Sequence, residues 1–218
     1  MSNTTVRLER DGELALVVVH NPPVNTINAD VRAGLVAAVD EIRKDAGIRA
    51  VILLCEGSTF FSGADIGEFS GPPKEVEYRL LFNSIEALPI PVVAAMHGTV
   101  MGGGLEIALA CHYRGASPGT RFALPEVTLG IIPGAGGTQR LPRLIGAEKA
   151  LDFILAARPV PAAQAIELGF LDVTLEGDLR AAAVNYTREL VAARKGPRRT
   201  GEMTVDPATA GADMSVSY

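Results

Sequence analysis

Two uninterrupted apolar runs, Leu14–Val19 and Ala50–Cys55, constrain this chain more than anything else in it. Both are apolar throughout and read as buried strands. Between them, Asn21-Pro22-Pro23 ends the first strand in a turn. Asp30–Lys44 then places Val31, Leu35, Val39 and Ile42 at helical spacing, with Asn28 or Asp30 as its cap. The alternation continues. Pro91–His97 reads as a third strand, Arg121–Leu124 as a short fourth and Leu171–Leu175 as a further one. Helices are expected over Val76–Ala87, Ala147–Ala157, Ala162–Leu168 with Gly169 as C-cap, and Leu179–Ala193. The pattern is α/β. At 218 residues and 48% hydrophobic content the chain fills one domain, read as 1–195. Residues 196–218 show no apolar periodicity and read as an irregular tail, with Arg198 and Arg199 as a solvated pair.

Charge and cysteine usage remove several classes of function. Twenty Lys and Arg stand against 25 Asp and Glu, a formal charge of −5, which gives no general attraction for nucleic acid or an anionic membrane. Cys55 and Cys111 lie in apolar surroundings and read as small buried residues rather than a disulfide. His20, His97 and His112 are scattered, with no metal-ligand spacing, so no metal is expected. The polar start Met1–Arg10 is unlike a signal peptide and no run is long enough to span a membrane, so a cytoplasmic location is expected.

The chemistry gathers at Met101-Gly102-Gly103-Gly104-Leu105-Glu106 and at Leu124-Pro125-Glu126. Three glycines allow positive φ and close approach of a ligand to the main chain, and a helix from Leu105 exposes first-turn N–H donors. Such a place stabilises negative charge. Glu106 and Glu126 add an acid and a base if the second folds back beside the first. Each feature also has a plain structural reading: glycines precede many helices, the macrodipole favours a first-turn Glu, and Pro125-Glu126 suits the start of a short helix. A second small-residue turn, Gly63-Ala64, follows the second strand, so N–H groups from two turns can converge. Residues 67–75, with Gly67, Gly71, Pro72 and Pro73, read as a mobile connection able to gate a pocket. Gly130–Thr138 lacks the Lys-Ser/Thr of a phosphate-binding loop and reads as a tight loop.

At these residues the chain resembles the crotonase, or enoyl-CoA hydratase/isomerase, superfamily. The similarity runs from about Asn21 to Leu175, through Asn21–Asn25, Ser62–Ile66, Gly102–Glu106, Leu124–Glu126 and Gly134–Gln139. Gly103–Arg114 and Asn21–Asn25 are especially similar to the hydratase/isomerase module of multifunctional β-oxidation enzymes. The resemblance implies an α/β fold, a ClpP/crotonase-like spiral of β-β-α units, here with a shortened C-terminal helical part. It implies a coenzyme A thioester substrate, an oxyanion hole from the N–H groups of Ala64 and Gly103, and catalysis by Glu106 and Glu126. Substrate contacts are implied at Ala64, Asp65, Ile66, Gly102, Gly103, Pro133 and Gly134. No cofactor is implied beyond the coenzyme A of the substrate. Partners implied are copies of the same chain, as a trimer or hexamer, or the rest of a multifunctional enzyme. The expected reaction is hydration of a trans-2-enoyl-CoA to a 3-hydroxyacyl-CoA. Two alternatives stay open: a 3-enoyl to 2-enoyl isomerase, and a truncated non-catalytic acyl-CoA binder. A serine hydrolase on the same fold is disfavoured, because no Gly-x-Ser-x-Gly is present and Ser58 and Ser62 lack an evident base.

Overall fold

The computed structural model describes residues 5–68 and 76–205. Its strands are β1 (Val6–Asp11), β2 (Leu14–Val19), β3 (Ala50–Cys55), β4 (Val92–Met96), β5 (Thr99–Met101), β6 (Tyr113–Ala116), β7 (Arg121–Ala123), β8 (Val160–Pro161) and β9 (Val173–Thr174). Its helices are α1 (Ala29–Lys44), α2 (Tyr78–Glu86), α3 (Gly103–Ala110), α4 (Gly137–Ile145), α5 (Ala147–Ala156), α6 (Ala162–Leu168) and α7 (Leu179–Ala192). β1-β2-β3-β4-β6-β9 form one sheet and β5-β7-β8 a second, smaller one.

The apolar runs are explained by what lies on either side of them. β2, β3, β4, β6 and β9 pair in parallel, and β2 and β3 are buried at every position. Val17, Val19, Leu53 and Cys55 face the main core beneath α1, α2 and α3. Leu14, Leu16, Ile52 and Leu54 face the other way, against Ala183 and Val184 of α7. A parallel sheet covered on both faces needs continuous rather than alternating apolar sequence. β1 differs. It is an antiparallel edge strand on which only Val6 is buried, and its Arg7, Glu9, Arg10 and Asp11 reach side-chain partners at its surface. Charge on an edge strand discourages pairing with another chain.

The spiral is visible in how consecutive strands leave one sheet for the other. β4 lies in the large sheet and β5 in the small one, after which α3 begins. β6 and β7 repeat the step, again large sheet then small, before a 3-10 turn at Glu126–Leu129. β5 and β7 pair in parallel, so the two successive steps stack and deliver Gly102 and Leu124 side by side. The N–H of Gly102 donates to Ala123 C=O at 3.0 Å, which fixes that juxtaposition.

Three sequence expectations are corrected. Gly137–Ile145 is a helix that the tight-loop reading of Gly130–Thr138 did not extend to; Gly136 and Pro142 mask it, since proline in a helix removes one backbone donor. α2 starts at Tyr78, and most of the 67–75 connection lies outside the described residues. Arg198 and Arg199 are not a solvated pair: Arg198 pairs with Asp172 and lies over the Tyr113 ring, while Arg199 Nε donates to Glu86 C=O at 3.2 Å. Thr200 beside them is buried. Residues 206–218 lie outside the described part. Among the described residues, no helix is long and apolar enough to cross a membrane.

Candidate active site

Two turns meet at the mouth of a cavity of about 400 Å³. The first, Gly63-Ala64, is drawn against the chain before α1: Ile27 N–H donates to Gly63 C=O at 2.9 Å, and Ile27 and Ala64 form a parallel bridge. The second is the start of α3. Of its three glycines only Gly102 has positive φ, at +51°, where it serves as N-cap; Gly103 and Gly104 are already helical. The helix therefore begins two residues before Leu105. Gly103 is its first residue, so its N–H has no acceptor one turn back in the same helix.

The reason for glycine at 104 is steric. A Cβ there would collide with the Phe61 carbonyl, whose oxygen also accepts the Met101 N–H at 3.3 Å. At Gly103 a Cβ would lie 3.3 Å from the Ala64 nitrogen. Small residues thus let the two turns close on each other, with Ala64 and Gly103 both lining the cavity.

Glu106 and Glu126 line the same cavity, and each is buried, with 4% and 9% of its surface exposed. Glu106 Oε1 accepts the N–H of Ala135 and that of Gly137, both at 2.8 Å. Burial pushes its carboxyl above the ordinary range, opposed by those N–H groups and by the nearby Arg140. Glu126 is held less. Among the described residues no protein group donates to its Oε2. Burial first, and then the neighbouring Glu106 carboxylate, push its pKa up to about 7, against the pull of its own main-chain N–H. In one cavity, a carboxylate held by N–H donors can accept a proton from a ligand and one that keeps its proton near neutrality can give one.

Gly102 and Gly134 also line the cavity. Asp65 and Pro133 do not: the Asp65 carboxylate accepts the Gly67 N–H at 3.0 Å, and Pro133 packs under Gly137. The side chain of Ile66 lies outside the described part. Sequence reasoning missed Tyr78, Leu129, Ile131 and Ile132, which supply much of the apolar wall. Tyr78 is placed by its hydroxyl, which donates to Ile27 C=O at 2.6 Å, and by stacking on the buried Arg32 guanidinium. Leu129, Ile131 and Ile132 are exposed hydrophobic residues in a short span, a signal that the sequence did carry.

The fold agrees with what comparison shows. The sequence model of the Enoyl-CoA hydratase/isomerase family matches residues 9–205, and the chain belongs to that family. It is 42% identical over 200 residues to the peroxisomal bifunctional enzyme of Danio rerio, covering 92% of this chain but 28% of that protein. It is 40% identical over 175 residues to a probable enoyl-CoA hydratase of Bacillus subtilis, covering 77% of this chain and 68% of that one. Among solved structures, the enoyl-CoA hydratase of Bacillus anthracis superposes with a TM-score of 0.81 at 32% identity, covering 87% of this chain and 77% of that one.

Proposed function

We propose that this chain is an enoyl-CoA hydratase, adding water to a trans-2-enoyl-CoA to give a 3-hydroxyacyl-CoA. The observation that carries the reading is that Glu106, Glu126, Ala64 and Gly103 line one cavity. The N–H groups of Ala64 and Gly103 act as the oxyanion hole, receiving the thioester carbonyl oxygen. Water adds its oxygen to C3, the C2–C3 π electrons shift toward C1 and the carbonyl π electrons onto the thioester oxygen, and the enolate forms. Two fixed donors stabilise it by about 3–4 kcal/mol each, which is what removing one such donor costs at other oxyanion sites. Glu106, held through Oε1, positions the water and accepts its proton. Glu126, near 7, gives a proton to C2 as the carbonyl re-forms. Over the full cycle one water is consumed, and the pair ends one proton transfer from its starting state.

The substrate's thioester end lies against Ala64, Gly102, Gly103 and Gly134. Ile66 contacts the substrate as well, while Asp65 and Pro133 stand next in sequence to the lining residues Ala64 and Gly134. The reaction needs no cofactor beyond the coenzyme A of the substrate. The chain acts in the cytoplasm as a homo-oligomer, a trimer or hexamer, or as a module of a multifunctional enzyme. Similarity to a bifunctional enzyme supports the module. Residues 1–195 form the hydratase domain.

The test is product identity. Crotonyl-CoA is expected to lose its conjugated ultraviolet absorbance and to gain the mass of one water. A chain that instead converts a 3-enoyl-CoA to its 2-enoyl isomer, without hydration, is an isomerase. Thioester binding with neither reaction leaves a binding module.

A further inference from the structure

Arg140 of α4 and Glu86 at the end of α2 form an ion pair at 2.8 Å with 5% and 11% of their side chains exposed. A buried pair of this kind is weak evidence for stability, so its value lies in what it holds. Arg140 Nη2 and Nε both donate to Glu86 Oε2, at 2.8 and 3.2 Å, and Nη2 donates also to Asn83 Oδ1 at 2.7 Å. The third nitrogen, Nη1, donates to the Ala135 carbonyl at 3.4 Å and fills the place that a Cβ on Gly136 would take. Ala135 and Gly137 are the two residues whose N–H groups grip Glu106.

The other side of Glu86 is held by the segment after α7. Its Oε1 accepts the Gly201 N–H at 2.7 Å, and its main-chain carbonyl accepts from Arg199 Nε at 3.2 Å and from the buried His112 Nε2 at 2.9 Å. An unbroken set of contacts therefore runs from residues 199–201 through Glu86 and Arg140 to the turn that holds Glu106. Neither Arg140 nor Glu86 lines the cavity.

We propose that Arg140 is a positioning residue for Glu106: anchored by Glu86, which residues 199–201 anchor in turn, it fixes the Ala135–Gly137 turn whose N–H groups hold the carboxylate. The inference rests on the hydratase reading of Glu106. The turn needs such a prop because Gly134, Gly136 and Gly137 give it almost no side chains of its own to pack, and glycine leaves its backbone free. Site groups reach catalytic precision only when their supports are locked. Arg140 also favours the ionised form of Glu106, against burial; the other titratable group that faces Glu106 is Glu126, on the 3-10 turn that lines the same cavity, and Glu86 faces Arg140 from α2.

The test compares wild type with Arg140→Lys, Arg140→Met and Asn83→Ala. Two readouts are taken: kcat and KM for a 2-enoyl-CoA, and a ¹³C-carboxyl titration of Glu106 in the substrate-free protein, its signal assigned with Glu106→Gln. Arg140→Met is expected to lower kcat by about 10- to 100-fold with KM little changed, and to move the Glu106 titration upward. Arg140→Lys keeps the charge, so it restores the titration but only part of kcat. Asn83→Ala, at an exposed position, moves both readouts the same way by less. A folded Arg140→Met with wild-type kcat and wild-type Glu106 titration overturns the proposal. If that variant does not fold, Asn83→Ala decides, and wild-type values in both readouts overturn it. A wild type without hydratase activity defeats the functional reading alone, since the titration still shows whether Arg140 governs Glu106.

Discussion

Glu106 and Glu126 share a cavity and a residue type, yet the chain treats them differently. Glu106 sits in the first turn of α3 with Oε1 saturated by two N–H donors, whereas Glu126 opens a single 3-10 turn and leaves Oε2 without a protein donor among the described residues. The contrast teaches that burial alone does not set a carboxylate's task. Main-chain donors oppose burial and favour the charged form; Glu106 receives those of Ala135 and Gly137, while Glu126 has only its own N–H against burial and the Glu106 charge. In the proposed reaction one group therefore orients and deprotonates water while the other carries a proton.

The sharpest way to break this comparison is to remove each charge in turn. Glu106→Gln is expected to lower kcat by roughly 10³- to 10⁴-fold, because the amide oxygen can still accept the two N–H groups but the base is gone. Glu126→Gln is expected to cost about 10²- to 10³-fold. Hydration kinetics of crotonyl-CoA measure both, and equal, small losses would mean that neither carboxylate touches the reacting atoms.

Stability against pH sharpens the same contrast. The folded-state pKa of Glu126, about 7, lies above the ordinary value of 4.5, so between those two the folded protein binds the additional proton. Wild-type stability should then fall as pH rises through that window, by at most about 3 kcal/mol from this group. Glu126→Gln is expected to melt higher than wild type at pH 8 and to lose that advantage by pH 4.5. Thermal melts of the two proteins at both pH values decide it.

A smaller effect tests the frame rather than the carboxylates. Gly104→Ala drives a Cβ into the Phe61 carbonyl and should destabilise by about 1–3 kcal/mol while separating Ala64 from Gly103. Loss of kcat with both glutamates intact is the expected result in the hydration assay.

Much of this arrangement was legible in the residues, for physical reasons that differ from place to place. β2 and β3 match their apolar runs end to end, and α1 begins at Ala29 behind Asn28, whose side chain accepts the Val31 N–H at 3.0 Å. Long, strongly patterned elements carry their own signal. β5 and β8, of three and two residues, carry almost none, because their pairing comes from the spiral and not from local sequence. α4 was hidden by Gly136 and Pro142. The docking of Arg198 and Arg199 was hidden because Asp172 and Glu86, which receive them, are distant in the chain. At the site, both glutamates and both turns were readable as motifs. The apolar wall from Tyr78 was not, since a hydroxyl bond to Ile27 places it.

The central claim is that the two carboxylates divide the proton work, and the pH dependence of kcat/KM tests it most directly in wild type and Glu126→Gln. The account predicts that wild-type kcat/KM declines on the alkaline side, with a midpoint near 7, as Glu126 loses its proton, and that the residual activity of Glu126→Gln lacks this limb. An alkaline limb of the same position in both proteins would contradict it.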